Sequence, residues 1–190
     1  WADASGRHGG QTVPRWCPPC QYNYWRLLVD LNCGVSFIGI YGDDLKHAAE
    51  PEFDAAFQFA RRYVGYHASP SQTPGAWVAL REGDFLKGDY TFLMSRMPGD
   101  STRAVKKAGP DDQRFGAWAR IVPAKSAIRF QLDPVVARRL ANEPAHLRVT
   151  YLSGEQGTMR VDLGSKSHEE PLGAATGKGP RWTTAEIAIP

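Results

Sequence analysis

The chain is 190 residues long, 42% hydrophobic and 23% charged, with a formal net charge of +3; that leaves room for one large domain or two small ones of ordinary globular composition. Its Lys and Arg residues fall in isolated pairs such as Arg61-Arg62, Lys106-Lys107 and Arg138-Arg139. A nucleic-acid groove needs a clustered basic stripe interleaved with aromatics, so no nucleic-acid partner is expected. No apolar run approaches the ~20 residues that cross a bilayer and no signal peptide is evident, so no membrane partner is expected either.

Residues 1–21 are polar, rich in Gly and Pro and without periodicity, and read as a loop. The next segment, Tyr22 to Asn32, sets Trp25, Leu28, Val29 and Leu31 at near-helical spacing, with Gly34 as its C-terminal cap. The run Val35–Tyr41 is continuously apolar and reads as a strand buried on both faces. It ends in Gly42-Asp43-Asp44, and in parallel α/β architectures that end of a strand is where chemistry is usually placed.

A second helix is expected from Pro51 to about His67. Pro51 suits the first helical position, and Glu52 and Asp54 suit the positive end of the helix dipole. The stretch from Ala68 to Gly75 breaks it, and Ala76–Leu80 reads as another short strand. Helix, strand, helix and strand joined by short loops imply a parallel sheet with right-handed crossovers.

The pattern changes after about Arg81. Pro98-Gly99-Asp100-Ser101 and Gly109-Pro110-Asp111-Asp112 are turn signals that mark residues 98–112 as a linker. Beyond them the apolar period becomes two: Ile128, Phe130 and Leu132, then Leu147, Val149 and Tyr151, then Met159, Val161 and Leu163, and finally Ile187 and Ile189. Half-buried antiparallel strands explain this alternation, with Pro134–Asn142 as a short helix among them. Residues 113–190 therefore read as a β-sandwich module. The start at Trp1 and the strand-like finish from Ala185 to Pro190 both read as cuts in a longer protein.

The candidate chemistry starts with Asp43 and Asp44. A carboxylate at a strand end can serve as nucleophile, as general acid or base, or as a hold on a sugar hydroxyl. The same Gly-Asp-Asp also reads as a turn whose aspartate caps a short helix near Leu45. Trp1, Trp16 and Tyr41 flank the loop and strand end where a cleft would open, and aromatic faces stack on sugar C–H patches; loop anchoring is the alternative. His8, in a glycine-flanked loop, could approach a ligand with a side chain that titrates near neutrality.

Of the three cysteines, Cys17 and Cys20 stand in Cys-Pro-Pro-Cys. This is the spacing of thiol oxidoreductases, but no thioredoxin-type strand precedes it, so a local disulfide or two thiols is the competing reading. One local bridge plus one thiol suits an oxidising compartment, secreted or periplasmic. No metal-ligand spacing occurs, and no phosphate loop or Gly-x-Ser-x-Gly; no metal or cofactor is expected.

Asn23-Tyr-Trp-Arg-Leu-Leu, Gly34-Val-Ser-Phe-Ile-Gly-Ile-Tyr-Gly-Asp-Asp and Pro74-Gly-Ala-Trp-Val-Ala-Leu-Arg give residues 1–97 a resemblance to the last strands and helices of a (β/α)8 glycoside-hydrolase barrel. Phe115-Gly-Ala-Trp-Ala-Arg, Leu147-Arg-Val-Thr-Tyr-Leu and Arg181-Trp-Thr-Thr-Ala make the remainder similar to the galactose-binding-like β-sandwich that often follows such barrels. The resemblance implies hydrolysis of an oligo- or polysaccharide by two carboxylates in the intact parent. The acid/base glutamate would precede Trp1. No glutamate ends the Val35–Tyr41 strand, so only Asp43 or Asp44 stands near the nucleophile's position. A partial barrel leaves strand edges uncovered, so the chain alone is expected to be inactive and prone to aggregate. The alternative reading is a non-catalytic protein whose sandwich binds carbohydrate or another protein.

Overall fold

The structure is a computed structural model that describes residues 7–8, 11–12, 19–39, 47–80, 89–106, 109–116, 118–154, 157–164, 166–173 and 179–189. Helix α1 spans Pro19–Asn32. Its Tyr24, Leu27, Leu28 and Leu31 are buried, at the three- and four-residue spacing that puts side chains on one face. Gly34 ends it as expected. At φ +75° its N–H donates to Leu31 O at 3.0 Å while Val35 N–H donates to Asp30 O at 3.2 Å, the paired bonds of a glycine-terminated helix. His67 Nε2 adds a further 2.8 Å bond to Leu31 O.

Helix α2 spans Pro51–Tyr63, with Glu52 and Asp54 in its first turn and Arg61 and Arg62 in its last, each sign suited to its end of the dipole. Phe53, Ala56, Ala60 and Tyr63 form its buried face, and the alanines leave room for α1 to approach. The helix stops short of His67 because Gly65 turns to φ +83°. Two short 3-10 turns, Tyr66–Ala68 and Pro70–Gln72, follow.

The named strands pair in twos, all antiparallel. Strand β1 (Arg7–His8) pairs with β2 (Gln11–Thr12), and β3 (Trp77–Ala79) with β4 (Tyr90–Phe92). Two nested arrangements come next. The pair of β5 (Met94–Arg96) and β8 (Phe130–Leu132) encloses that of β6 (Arg103–Lys106) and β7 (Trp118–Ile121). The pair of β9 (Ala145–Leu152) and β12 (Trp182–Ile189) encloses the hairpin of β10 (Gly157–Leu163) and β11 (Lys166–Leu172). Between the two nests lies helix α3 (Pro134–Leu140), capped by Asp133, whose Oδ1 accepts the Val135 N–H at 2.8 Å.

The expected alternation holds along β9 and β10. Leu147, Val149 and Tyr151 are sheltered while His146, Arg148 and Thr150 are exposed, and Met159, Val161 and Leu163 alternate in the same way with Arg160 and Asp162. Ile187 of β12 is fully buried.

The first half of the chain departs from its sequence reading. Residues 35–39 form neither helix nor strand, and Phe37, expected inside a doubly buried strand, is 83% exposed. Among the described residues Val35 O takes a single backbone bond, from Gly65 N–H at 3.2 Å, rather than a ladder. An apolar run of this length fixes no conformation by itself. Nor is a parallel sheet present among the described residues: β3 turns back onto β4, and the one parallel contact is the isolated bridge from Trp77 to Leu93. The stretch 98–112 contains β6, so it belongs to the strand framework. The described chain is thus a mixture of helix and strand with small antiparallel sheets.

One aromatic core joins the helices to β3 and β4. Trp77 and Phe92 stack at 6.2 Å between ring centroids, and Tyr63 meets Phe92 at 5.5 Å. Full burial of each such ring is worth about 1.5–3 kcal/mol. Beside this core, Arg96 donates to Asp89 at 2.7 Å and to Asp100 at 2.9 Å. Asp100 Oδ1 also accepts the Thr102 hydroxyl and, at 3.0 Å, the Thr102 N–H. The Thr102 hydroxyl and then Arg96 hold the Asp100 carboxyl at about 2, below its usual 3.8. A carboxylate shifted downward stabilises the fold above its ordinary pKa, and that stability is lost as pH falls through the folded value. Acid titration of wild type and Asp100→Asn, followed by circular dichroism, should show the wild type losing more stability than the variant between 3.8 and about 2. Equal acid slopes in the two proteins would contradict the assignment.

Candidate functional site

The N-terminal turns of α1 and α2 meet the loop 109–116 at one polar corner. Arg114 makes the central contact: its backbone N–H and its Nη1 both donate to Glu52 Oε2 at 2.9 Å. Its guanidinium lies 4.3 Å from the Phe115 ring centroid and 5.8 Å from that of Tyr24, within cation–π range. Gln21, fully buried on α1, donates to Pro110 O at 3.4 Å, and Cys20 Sγ donates to Asp111 O at 3.8 Å.

The loop's other side holds β12. Gln113 Oε1 accepts the Trp182 N–H at 2.8 Å and its Nε2 donates to Trp182 O at 3.3 Å, so one side-chain amide copies the pairing of a neighbouring strand. Phe115 packs on Trp182 at 5.8 Å. Gly109 N–H closes the loop on Gly116 O at 2.8 Å. A Cβ at Gly109 would collide with the Trp182 indole, and one at Gly116 with Pro110 O and the Gln21 amide. Glycine is required at both positions for close approach.

Burial pushes the Tyr24 hydroxyl's pKa up, with Arg114 acting in the opposite direction. Burial also raises the Cys20 thiol, and the charges of Glu52 and Glu50 add to the shift. Thiol–disulfide exchange needs a lowered cysteine pKa, so the Cys20 environment disfavours that chemistry. Glu50 Oε1 lies 2.6 Å from His47 Nδ1, and His47 stacks on Phe53 at 5.1 Å. No group of three or more His, Cys, Asp or Glu side chains able to hold a metal occurs among the described residues. What the corner does is fasten two layers together.

Most of the residues singled out in the sequence fall elsewhere. Asp43, Asp44, Trp1, Trp16, Tyr41 and Cys17 lie outside the described residues. His8 is in β1, opposite Gln11, and its side chain is outside the description. Cys20 carries a free thiol. The described residues that adjoin these candidates in the chain, Cys20 on one side and His47 to Glu50 on the other, belong to the same corner. Trp182, in the Arg181-Trp-Thr-Thr-Ala stretch, packs on Phe115.

No family model, curated protein or solved structure matches the chain. Its site is therefore read from its own residues.

The grouping of Gln113 and Arg114 with Glu52 was not legible beforehand, because sixty-two positions separate Arg114 from Glu52. The one available signal was the Gly109-Pro-Asp-Asp turn followed within a few residues by Gly116. Asn23 is 1% exposed, and neither end of its amide has a hydrogen-bond partner among the described residues, a state that costs about 1–3 kcal/mol.

Glu52→Gln should lower the unfolding free energy by about 1–3 kcal/mol, the worth of hydrogen bonds to a charged group. Gly116→Ala should cost about 1–3 kcal/mol through overpacking. Urea unfolding checks both. A neutral result for the two variants would remove the corner from the stabilising framework.

Proposed function

We propose that the chain is the C-terminal part of a carbohydrate-active enzyme, a partial (β/α)8 barrel followed by a β-sandwich module, whose intact parent cleaves glycosidic bonds with paired carboxylates. The observation that carries this reading is the nested pairing of β9 with β12 around β10 and β11. A four-strand Greek key has the spatial order 4-1-2-3; β12 beside β9 and β10 beside β11 match two of its three pairings, and no β9–β10 ladder occurs among the described residues. The in-and-out alternation along β9 and β10 supplies the single apolar face that a sandwich layer buries. The part assigned to Asp44, or to Asp43, rests on the resemblance to barrel glycosidases and on their position after an apolar run.

A second reading, a non-catalytic β-sandwich protein that binds carbohydrate or protein, is favoured by the antiparallel pairing of β3 with β4, since a barrel strand would find parallel neighbours.

Assaying the parent protein on a panel of aryl glycosides tests the first reading. Asp44→Asn should lower kcat by about 10²–10⁴-fold, the usual contribution of a positioned acid, base or nucleophilic carboxylate. Sugar affinity without turnover would favour the binding protein. Full turnover in both Asp43→Asn and Asp44→Asn would remove these carboxylates from the chemistry.

A further inference from the structure

A shallow basic depression flanks the C-terminal half of α2, away from the polar corner. Gln58, Arg61 and Arg62 from the helix, Tyr66 from the 3-10 turn after it and Pro74 from the loop before β3 line a solvent-open space of about 360 Å³. That lies at the lower end of the ~300–1,000 Å³ typical of small-ligand sites. Among the described residues Arg61 has no carboxylate partner, and Arg62 bonds the hydroxyl of Tyr63. Several other arginines are held by carboxylates: Arg96 by Asp89, Arg114 by Glu52, Arg148 by Glu186 and Arg181 by Asp112. On the same helix, Asp54 accepts from Gln58 Nε2 at 3.2 Å.

The helix dipole favours cations in this last turn, but it does not account for a hollow that they line together with a tyrosine and a proline. We propose that the depression binds a carboxylate-bearing sugar unit of a saccharide chain. A planar guanidinium pairs with a carboxylate in a two-pronged, charge-assisted contact. Tyr66 and Pro74 offer apolar ring faces to the C–H side of a pyranose, while the amide of Gln58 can both donate to and accept from hydroxyls. An open trough suits an internal unit of a chain, whose two ends must leave the site. The inference rests on the carbohydrate reading above and narrows its ligand to an acidic sugar.

Isothermal titration of the chain with a galacturonate trimer, and with the same trimer after reduction of its carboxyl groups to alcohols, provides the test. The acidic trimer should bind, and the reduced trimer should bind at least about tenfold more weakly. Arg61→Gln with Arg62→Gln should weaken the acidic trimer by about tenfold or more, because two charge-assisted contacts are removed. Both substitutions are at exposed helix positions, so the melting temperature serves as a control for folding. Equal binding of the two trimers, binding untouched by the double variant, or competition by inorganic phosphate at the trimer's own concentration would overturn the proposal. Turnover of neutral glycosides by the parent without uronate affinity would leave the enzyme reading standing and sink this one. Uronate affinity without any turnover would do the reverse.

Discussion

Arg114 donates twice to one oxygen of Glu52 while its guanidinium rests on Phe115 and approaches Tyr24, and the residues beside it, Gln113 and Phe115, hold Trp182 at the start of β12. The first contact belongs to the helical layer and the second to the nested strands. A single turn of eight residues, 109–116, therefore sits where the two parts of the molecule are joined. Its constraint is steric as much as electrostatic. Gly109 and Gly116 must lack a Cβ for the indole of Trp182 and the amide of Gln21 to come as close as they do, and only then do the hydrogen bonds reach. The ion pair is partly sheltered, so salt screens it less than a surface pair, and removing one partner would leave the other charge uncompensated.

Much of the framework was legible in the sequence because it follows from short-range rules. The stop of α1 at Gly34, the start of α2 at Pro51, the short helix after Asp133 and the two-residue period of β9 and β10 are each set within a few residues. The misreadings are all non-local. Val35–Tyr41 carried a strand-like composition, yet a strand exists only if a partner lies beside it, and residues 35–39 have none among the described residues. The segment Trp77–Ala79 was recognised as a strand, but its direction relative to a neighbour depended on β4, which the sequence reading had not placed. Residues 98–112 had the composition of a linker because their turns are rich in Gly, Pro and Asp, and the strand between the turns is only four residues long, Arg103–Lys106.

The candidate site was legible only as a list of residue types. Sequence can show that Asp43 and Asp44 are carboxylates after an apolar run, and that Arg61 and Arg62 are adjacent. It cannot show that Arg62 and Tyr66 border one hollow with Pro74, or that Glu52 is already bound by an arginine sixty-two positions away. That distinction matters for function. A carboxylate held by Arg114 is occupied in structure and poorly placed to act on a substrate, whereas Arg61 has no carboxylate partner among the described residues and can meet an anion. The chemistry open to this chain is therefore expected away from the corner that stabilises it.

The central claim is that the loop 109–116 makes the helical core and the β9–β12 strands open as one unit. Native-state hydrogen exchange tests it most directly, since amides that share a cooperative unit share an opening free energy. The buried turns of α1 around Leu27 and Leu28 and the paired amides of β12 around Ile187 should exchange with opening free energies within about 1 kcal/mol of each other and converge with added denaturant. Two well-separated opening free energies, with β9–β12 exchanging freely while α1 stays protected, would contradict the account.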